Sequence, residues 1–103
     1  MNIVENKLSE LKQLCLKYKV KKLSVFGSVL TNDFKENSDI DFLVTFDENK
    51  LELLDYAGNF FDFMDALENL FGRKIDLVEE KAMRNPYFIE EVEATKQMLY
   101  AAA

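Results

Sequence analysis

The run Asp39-Ile40-Asp41-Phe42-Leu43-Val44-Thr45-Phe46 constrains this chain more than any other stretch. Its β-branched and aromatic content reads as a buried strand, yet it carries two carboxylates. Side chains alternate across a strand, so Asp39, Asp41, Leu43 and Thr45 share one face and Ile40, Phe42 and Val44 the other. The two acids then project from the same side, about 6.5–7 Å apart along the chain. A carboxylate in an apolar setting is disfavoured unless something is set against it. The fold therefore has to bring a partner to that face.

A second short strand, Lys74-Ile75-Asp76-Leu77-Val78, supplies another acid. Asp76 reaches the same place if the two strands are neighbours. Three carboxylates in one pocket repel, by about 3 kcal/mol per pair at a separation of about 5 Å and an effective dielectric of about 20. Bound divalent cations reverse the sign. Hard oxygen donors suit Mg2+, which keeps several waters and binds through carboxylates plus substrate phosphates. Two such ions can flank a phosphorus, activating the attacking oxygen and stabilising the leaving one. Upstream lies Gly27-Ser28. Glycine lets backbone N–H groups approach an anion closely, a turn beginning there can aim donors at phosphate, and the serine hydroxyl adds another. The stretch from Phe26 to Val44 thus reads as a phosphate cradle facing a metal-binding carboxylate pair. Alone, a Gly-Ser is a turn and an Asp-x-Asp a pair of surface acids. Their fixed spacing arises by chance in about one in a thousand chains of this length.

The composition narrows the class. The chain has 103 residues, enough for one domain, and 49% of them are apolar. With a net charge of −6 it repels nucleic acid and anionic membrane surfaces, so no direct contact with either is expected. A nucleotide could bind only with a metal supplying positive charge. There is no histidine, which removes Ser-His-Asp and Cys-His catalysis. Cys15 is the sole cysteine, so no intrachain disulfide forms. Neither a signal peptide nor a membrane span is evident, and the expected location is the cytoplasm.

Periodicity places the other elements. Val4, Leu8, Leu11, Cys15 and Tyr18 form a helical stripe over about residues 3–19, with Asn2 and Glu5 spaced as a capping box and Lys17, Lys19, Lys21 and Lys22 at its solvated end. Leu23–Phe26 is a short strand. Residues 51–71 read as the longest helix, opened by Asn49 and Glu52 and closed by Gly72. Its apolar stripe is unusually wide, and its edge of Tyr56, Phe63 and Leu70 is expected either to pack on the last helix or to meet a partner protein; the plainer alternative is a helix buried between two layers. Asn85 and Pro86 cap a final helix whose inner side takes Phe88, Ile89, Val92, Met98 and Leu99. Residues 1–100 form one α+β domain, a sheet covered by helices; Ala101–Ala103 reads as an appended tail without function.

The stretch "FGSVLTNDFKENSDIDFLV" carries the Gly-Ser-x(10)-Asp-x-Asp signature and resembles the DNA-polymerase-β-like nucleotidyltransferases; "KIDLVEEKAM" is similar to the segment bearing their third carboxylate. The short length and the ending "NPYFIEEVEATKQMLY" resemble the minimal nucleotidyltransferases, the MNT antitoxins paired with HEPN toxins. The resemblance implies a mixed β-sheet flanked by helices, with Asp39 and Asp41 binding two Mg2+ ions and Asp76 completing the site of the attacking hydroxyl. Gly27 and Ser28 would hold the β,γ-phosphates of ATP. The implied reaction moves AMP from ATP to a hydroxyl, a tyrosine of the cognate HEPN RNase toxin, and silences it. Val29, Leu30 and Thr31 stand where many relatives carry basic residues after Gly-Ser, and Ala94, Thr95 and Lys96 where an arginine is often found. Phosphate neutralisation then falls to Lys22, Lys74, Arg73 or Arg84. Two other readings remain: an antitoxin that acts by binding its toxin without catalysis, and a small-molecule nucleotidyltransferase, for which the chain has no second domain to hold an acceptor.

Overall fold

A four-stranded mixed sheet carries Asp41 and Asp76 on one face and most of the core on the other. The computed structural model describes residues 2–102. The strands are β1 (Val20–Phe26), β2 (Ile40–Phe46), β3 (Ile75–Glu79) and β4 (Gln97–Ala101), in the order β3-β2-β1-β4. Strand β1 pairs antiparallel with both β2 and β4, and β2 pairs parallel with β3. The helices are α1 (Asn2–Glu5), α2 (Leu8–Lys17), α3 (Tyr56–Phe71) and α4 (Pro86–Thr95). Helix α3 is the crossover that the parallel β2–β3 pair requires.

Strand alternation sorts the apolar residues into two clusters. Leu23, Val25, Ile40, Phe42, Val44, Phe46, Ile75 and Leu77 point to one face, where Leu11 and Cys15 of α2 and Phe63 and Leu67 of α3 close over them. Phe63 is fully buried, tilted against Tyr18 and edge-on to Phe46 at ring distances of 5.7 and 5.9 Å. Burying a side chain of this size contributes roughly 1.5–3 kcal/mol. Phe63 is therefore core between α2 and the sheet, not against the last helix and not open to a partner, so the expectation for that edge gives way to the plainer alternative of a helix buried between layers. The opposite face holds a smaller cluster, Phe26, Leu43 and Val92, with Val78 and Met83 against it. Helix α4 sits there, held by Val92 and by Phe88 edge-on to Phe26. Cys15 is fully buried, and burial pushes its thiol up to about 12, which leaves it unreactive.

Several boundaries differ from the sequence reading. The first helix is broken into α1 and α2 by a turn at Asn6-Lys7, and the stripe continues across the break through Val4 and Leu11. The Asn2 side chain, on which the capping box rested, lies outside the described residues. Lys19, Lys21 and Lys22 do not extend that helix. Lys19 turns the chain with a positive φ of 59°, and an irregularity between Val20 and Lys22 starts β1 three residues before Leu23. Helix α3 begins at Tyr56 because Asp47 accepts the Asn49 amide and caps a separate tight turn; Leu53 and Leu54 are left exposed. The last helix stops at Thr95, whose hydroxyl donates to the Glu91 carbonyl, and Met98 and Leu99 belong to β4. Ala101 stands opposite Lys22 in that strand. Among the described residues no helix is long and apolar enough to cross a membrane.

Candidate active site

Strand register, more than loop placement, assembles the acids. Asp41 lies directly opposite Asp76 across the parallel β2–β3 pair and opposite Phe26 across the β1–β2 pair. Both acids occupy the face that α4 only partly covers. Asp39 comes just before β2, exposed, outside the ladder. The strand that the sequence begins at Asp39 thus begins at Ile40. Burial raises the Asp41 carboxyl first, followed by the charges of Asp76 and Asp39 and a side-chain hydrogen bond with Asp76. Together they push it from 3.8 to about 6.

Gly27 follows Phe26 and so arrives beside Asp41. Its φ is +79°, and a Cβ built there would stand 2.3 Å from Asp41 Oδ2. The sequence argument for glycine was backbone approach to an anion. The structure adds a more direct reason: any side chain would displace the carboxylate, and the backbone is left-handed as well. Gly27–Leu30 forms a single tight turn whose Ser28 carbonyl accepts both the amide and the hydroxyl of Thr31, each at 2.9 Å. The Ser28 hydroxyl has no partner among the described residues. Gly27 and Ser28 line an open cleft of about 510 Å3, together with Leu30, Thr31, Asp33 and, from α4, Glu91 and Thr95. The α4 wall was not read from the sequence; nothing local in Glu91 or Thr95 marks them, and only the packing of Val92 and Phe88 brings them there.

The donor set fits a hard cation. All available atoms are carboxylate oxygens, and the like charges of Asp76 and Asp39, which help to raise the Asp41 carboxyl after its burial, are a repulsion that a bound ion would relieve. Among the described residues no three such side chains already form a closed cage. Mg2+ does not need one, since it takes one or two protein carboxylates and completes its shell with water and phosphate oxygens.

Of the four basic candidates, three are engaged. Lys22 pairs with Glu80 at 3.3 Å. Arg84 donates to the Lys81 and Met83 carbonyls, and Arg73 to those of Lys35 and Ser38. The Lys74 ammonium has no partner among the described residues. A polar cluster missed by the sequence reading lies further along the same sheet face, where Glu80 accepts from Thr45 at 3.0 Å and also pairs with Lys96 at 3.5 Å. The nearby lysines and the Thr45 hydroxyl hold the Glu80 carboxyl below the usual range despite its partial burial.

Comparison with known proteins agrees with this arrangement. A family model described as a nucleotidyltransferase domain matches residues 6–99. The chain is 46% identical over 77 residues to the "Putative protein adenylyltransferase MJ0128" of Methanocaldococcus jannaschii, covering 75% of this chain and 74% of that one. It is 34% identical over 74 residues to the protein adenylyltransferase MntA of Thermococcus cleftensis, with 72% and 70% covered. A solved structure described as a "putative minimal nucleotidyltransferase" superposes with a TM-score of 0.71 at 31% identity, over 94% of this chain and 95% of that one. A chain of the complex between tri-AMPylated Shewanella oneidensis HEPN toxin and its MNT antitoxin shares the fold, with a TM-score of 0.63 at 16% identity over 95% and 72%. So does a chain of a toxin–antitoxin complex with AMP-PNP, with a TM-score of 0.68 at 21% identity over 99% and 75%. On the span of the domain match and the identity to these relatives, the chain belongs to the nucleotidyltransferase domain family and has the fold of its minimal members.

Proposed function

We propose that this chain is an antitoxin that transfers AMP from ATP to a tyrosine hydroxyl of a cognate HEPN-family RNase toxin, and so silences it in the cytoplasm. The observation that carries this reading is the pairing of Asp41 with Asp76 beside the Gly27–Ser28 cleft. Protein adenylyltransferases among its relatives, and toxin–antitoxin complexes among its structural neighbours, support the choice of acceptor.

The Ser28 hydroxyl and the amides of its turn donate to the β,γ-phosphates. Asp39, Asp41 and Asp76 would hold Mg2+, which when bound supplies the positive charge that lets polyphosphate enter an acidic site. Asp76, directly opposite Asp41 in the ladder and exposed, faces the acceptor and takes the proton from its hydroxyl. The hydroxyl oxygen bonds to the α-phosphorus, the bond from that phosphorus to the β-phosphate oxygen breaks, and pyrophosphate leaves. The direct test is incubation of the purified chain with its HEPN partner, Mg2+ and ATP, read by the mass of the partner. A gain of one or more AMP units on a tyrosine is expected. An unmodified partner with full occupancy of the complex would overturn the catalytic reading.

A specific feature favours the binding-only alternative. Leu53 and Leu54 are 89% and 94% exposed, an apolar pair left open among the described residues. The Asp39→Asn, Asp41→Asn double variant separates the two readings. Continued neutralisation of the toxin by that variant favours binding alone.

A further inference from the structure

The three acids are not held in the same way. Asp41 and Asp76 sit in paired strands, and the ladder fixes them. Asp39 is exposed and precedes β2, at the end of the loop that leaves the Gly27–Leu30 turn. Within the loop Lys35 and Ser38 close a local turn, the Lys35 amide donating to Ser38 Oγ at 3.0 Å and the Ser38 amide to the Lys35 carbonyl at 3.1 Å; what ties that turn to the rest of the fold comes from the α3–β3 junction. Nη1 of Arg73 donates to the Lys35 carbonyl at 3.0 Å and to the Ser38 carbonyl at 2.8 Å. The guanidinium lies over the Phe34 ring, 4.6 Å from its centre. The Ser38 carbonyl belongs to the peptide unit that carries the Asp39 nitrogen. On the other side of Asp39, the Ile40 amide donates to the Lys74 carbonyl at 3.2 Å. Two adjacent residues, Arg73 and Lys74, thus grip the chain immediately before and immediately after Asp39. The same segment runs into β3 and reaches Asp76 two residues beyond Lys74.

Stability alone does not explain an arginine here. Its Nε is buried without an acceptor among the described residues, and no carboxylate there pairs with it. A buried donor left unpaired is destabilising. A methionine would keep the contact with Phe34 and remove the orphaned donor. It could not hold two carbonyls at once. The arginine's particular contribution is order in the loop that bears Asp39.

We propose that Arg73 is a positioning residue for the site: it acts through the Ser38–Asp39 peptide to set Asp39 against Asp41 and Asp76. The role of Asp39 as a cation ligand rests on the functional reading above, and the test keeps the two apart. Arg73→Met and Arg73→Lys are compared with the wild type by thermal melting, amide hydrogen exchange and Mn2+ titration in the presence of a non-hydrolysable ATP analogue. In Arg73→Met the Ser38 and Ile40 amides should exchange faster while β1 amides keep their rates. Mn2+ affinity should fall by about tenfold, as for outer partners of metal ligands. Arg73→Lys, which keeps the charge and some donor capacity but not the planar stack, should recover part of the loss, and it serves alone if the methionine variant fails to fold. Asp39→Asn should cost less in the Arg73→Met background than in the wild type, because both changes act on one ligand. Unchanged Mn2+ affinity in a folded Arg73→Met chain, or a loss fully additive with Asp39→Asn, overturns the proposal. If Asp39→Asn leaves Mn2+ binding intact in the wild type, the reading of the metal site fails instead. The exchange rates at Ser38 and Ile40 then decide the clamp on their own: faster exchange sustains it and unchanged exchange rejects it.

Discussion

The two faces of the sheet solve opposite problems. The face under α2 and α3 is closed with Leu, Ile, Val and Phe from every layer. The face under α4 has a short apolar cluster at its middle, acids at one end and the Lys22–Glu80–Lys96 network at the other. One face can therefore lose its polar groups' function without losing the fold, while damage to the other should unfold both. The contrast also explains why carboxylates can sit in strands at all. Their neighbours on the same residues' opposite side, Ile40, Phe42 and Ile75, are fully committed to the core.

The sharpest way to break this division is to weaken each face in turn. Phe63→Ala should cost about 3–5 kcal/mol in a denaturant titration. Phe88→Ala, on the partly open α4 side, should cost well under half of that. Equal losses would mean that α4 carries as much of the fold as α3. Next in size is Gly27→Ala. The new methyl must push the Asp41 carboxylate aside and hold a left-handed backbone, a strain of roughly 1–2 kcal/mol. AMP transfer should drop beyond the about 10–100-fold range of outer-shell changes, with the chain still folded at room temperature. Wild-type transfer by a folded Gly27→Ala chain would show that Asp41 does not need its place beside the turn.

A third test reads the electrostatic side of the comparison. Asp41 binds its proton more tightly folded than unfolded, so the stability this provides is complete below 3.8 and lost as the pH rises through about 6. Removing the charge removes the loss. Metal-free Asp41→Asn should therefore melt above the wild type at about pH 8 and close to it at about pH 3.5. A constant difference at both pH values would mean that the substitution acts through packing. The smallest effect belongs to Ser28→Ala, which deletes one neutral donor, worth about 0.5–1.5 kcal/mol. Transfer should fall by no more than about tenfold, with the melting temperature unchanged, and a larger drop would give the hydroxyl a part beyond phosphate contact.

The arrangement of the candidate site was partly legible because its demands are local and costly: a glycine that breaks an apolar run just before serine, and acids set in apolar runs, have few alternative explanations, whereas the left-handed backbone of Gly27 and the place of Asp39 outside β2 were not in the pattern. The partners of those residues were not legible. Arg73 and Lys74 meet Asp39 only through the tertiary fold, and Glu91 and Thr95 reach the cleft only because Val92 and Phe88 anchor α4. Strand β4 escaped notice for another reason. It is an edge strand, half exposed on both faces, so Gln97-Met98-Leu99-Tyr100-Ala101 has no two-residue alternation and continues the apolar spacing of the helix before it. The early start of β1 was masked by the irregularity at Lys21, which breaks the same alternation.

Because β2 and β3 run parallel, Asp41 cannot meet Asp76 until the whole of α3 has crossed the sheet and returned. A hairpin would have placed two acids together after a few residues of chain; here the juxtaposition is a late event in the life of each molecule. Non-local pairings of this kind form slowly compared with helices. A refolding chain would thus regain its helical signal before Asp41 and Asp76 stand side by side, and the acid pair would appear only once that crossover has closed.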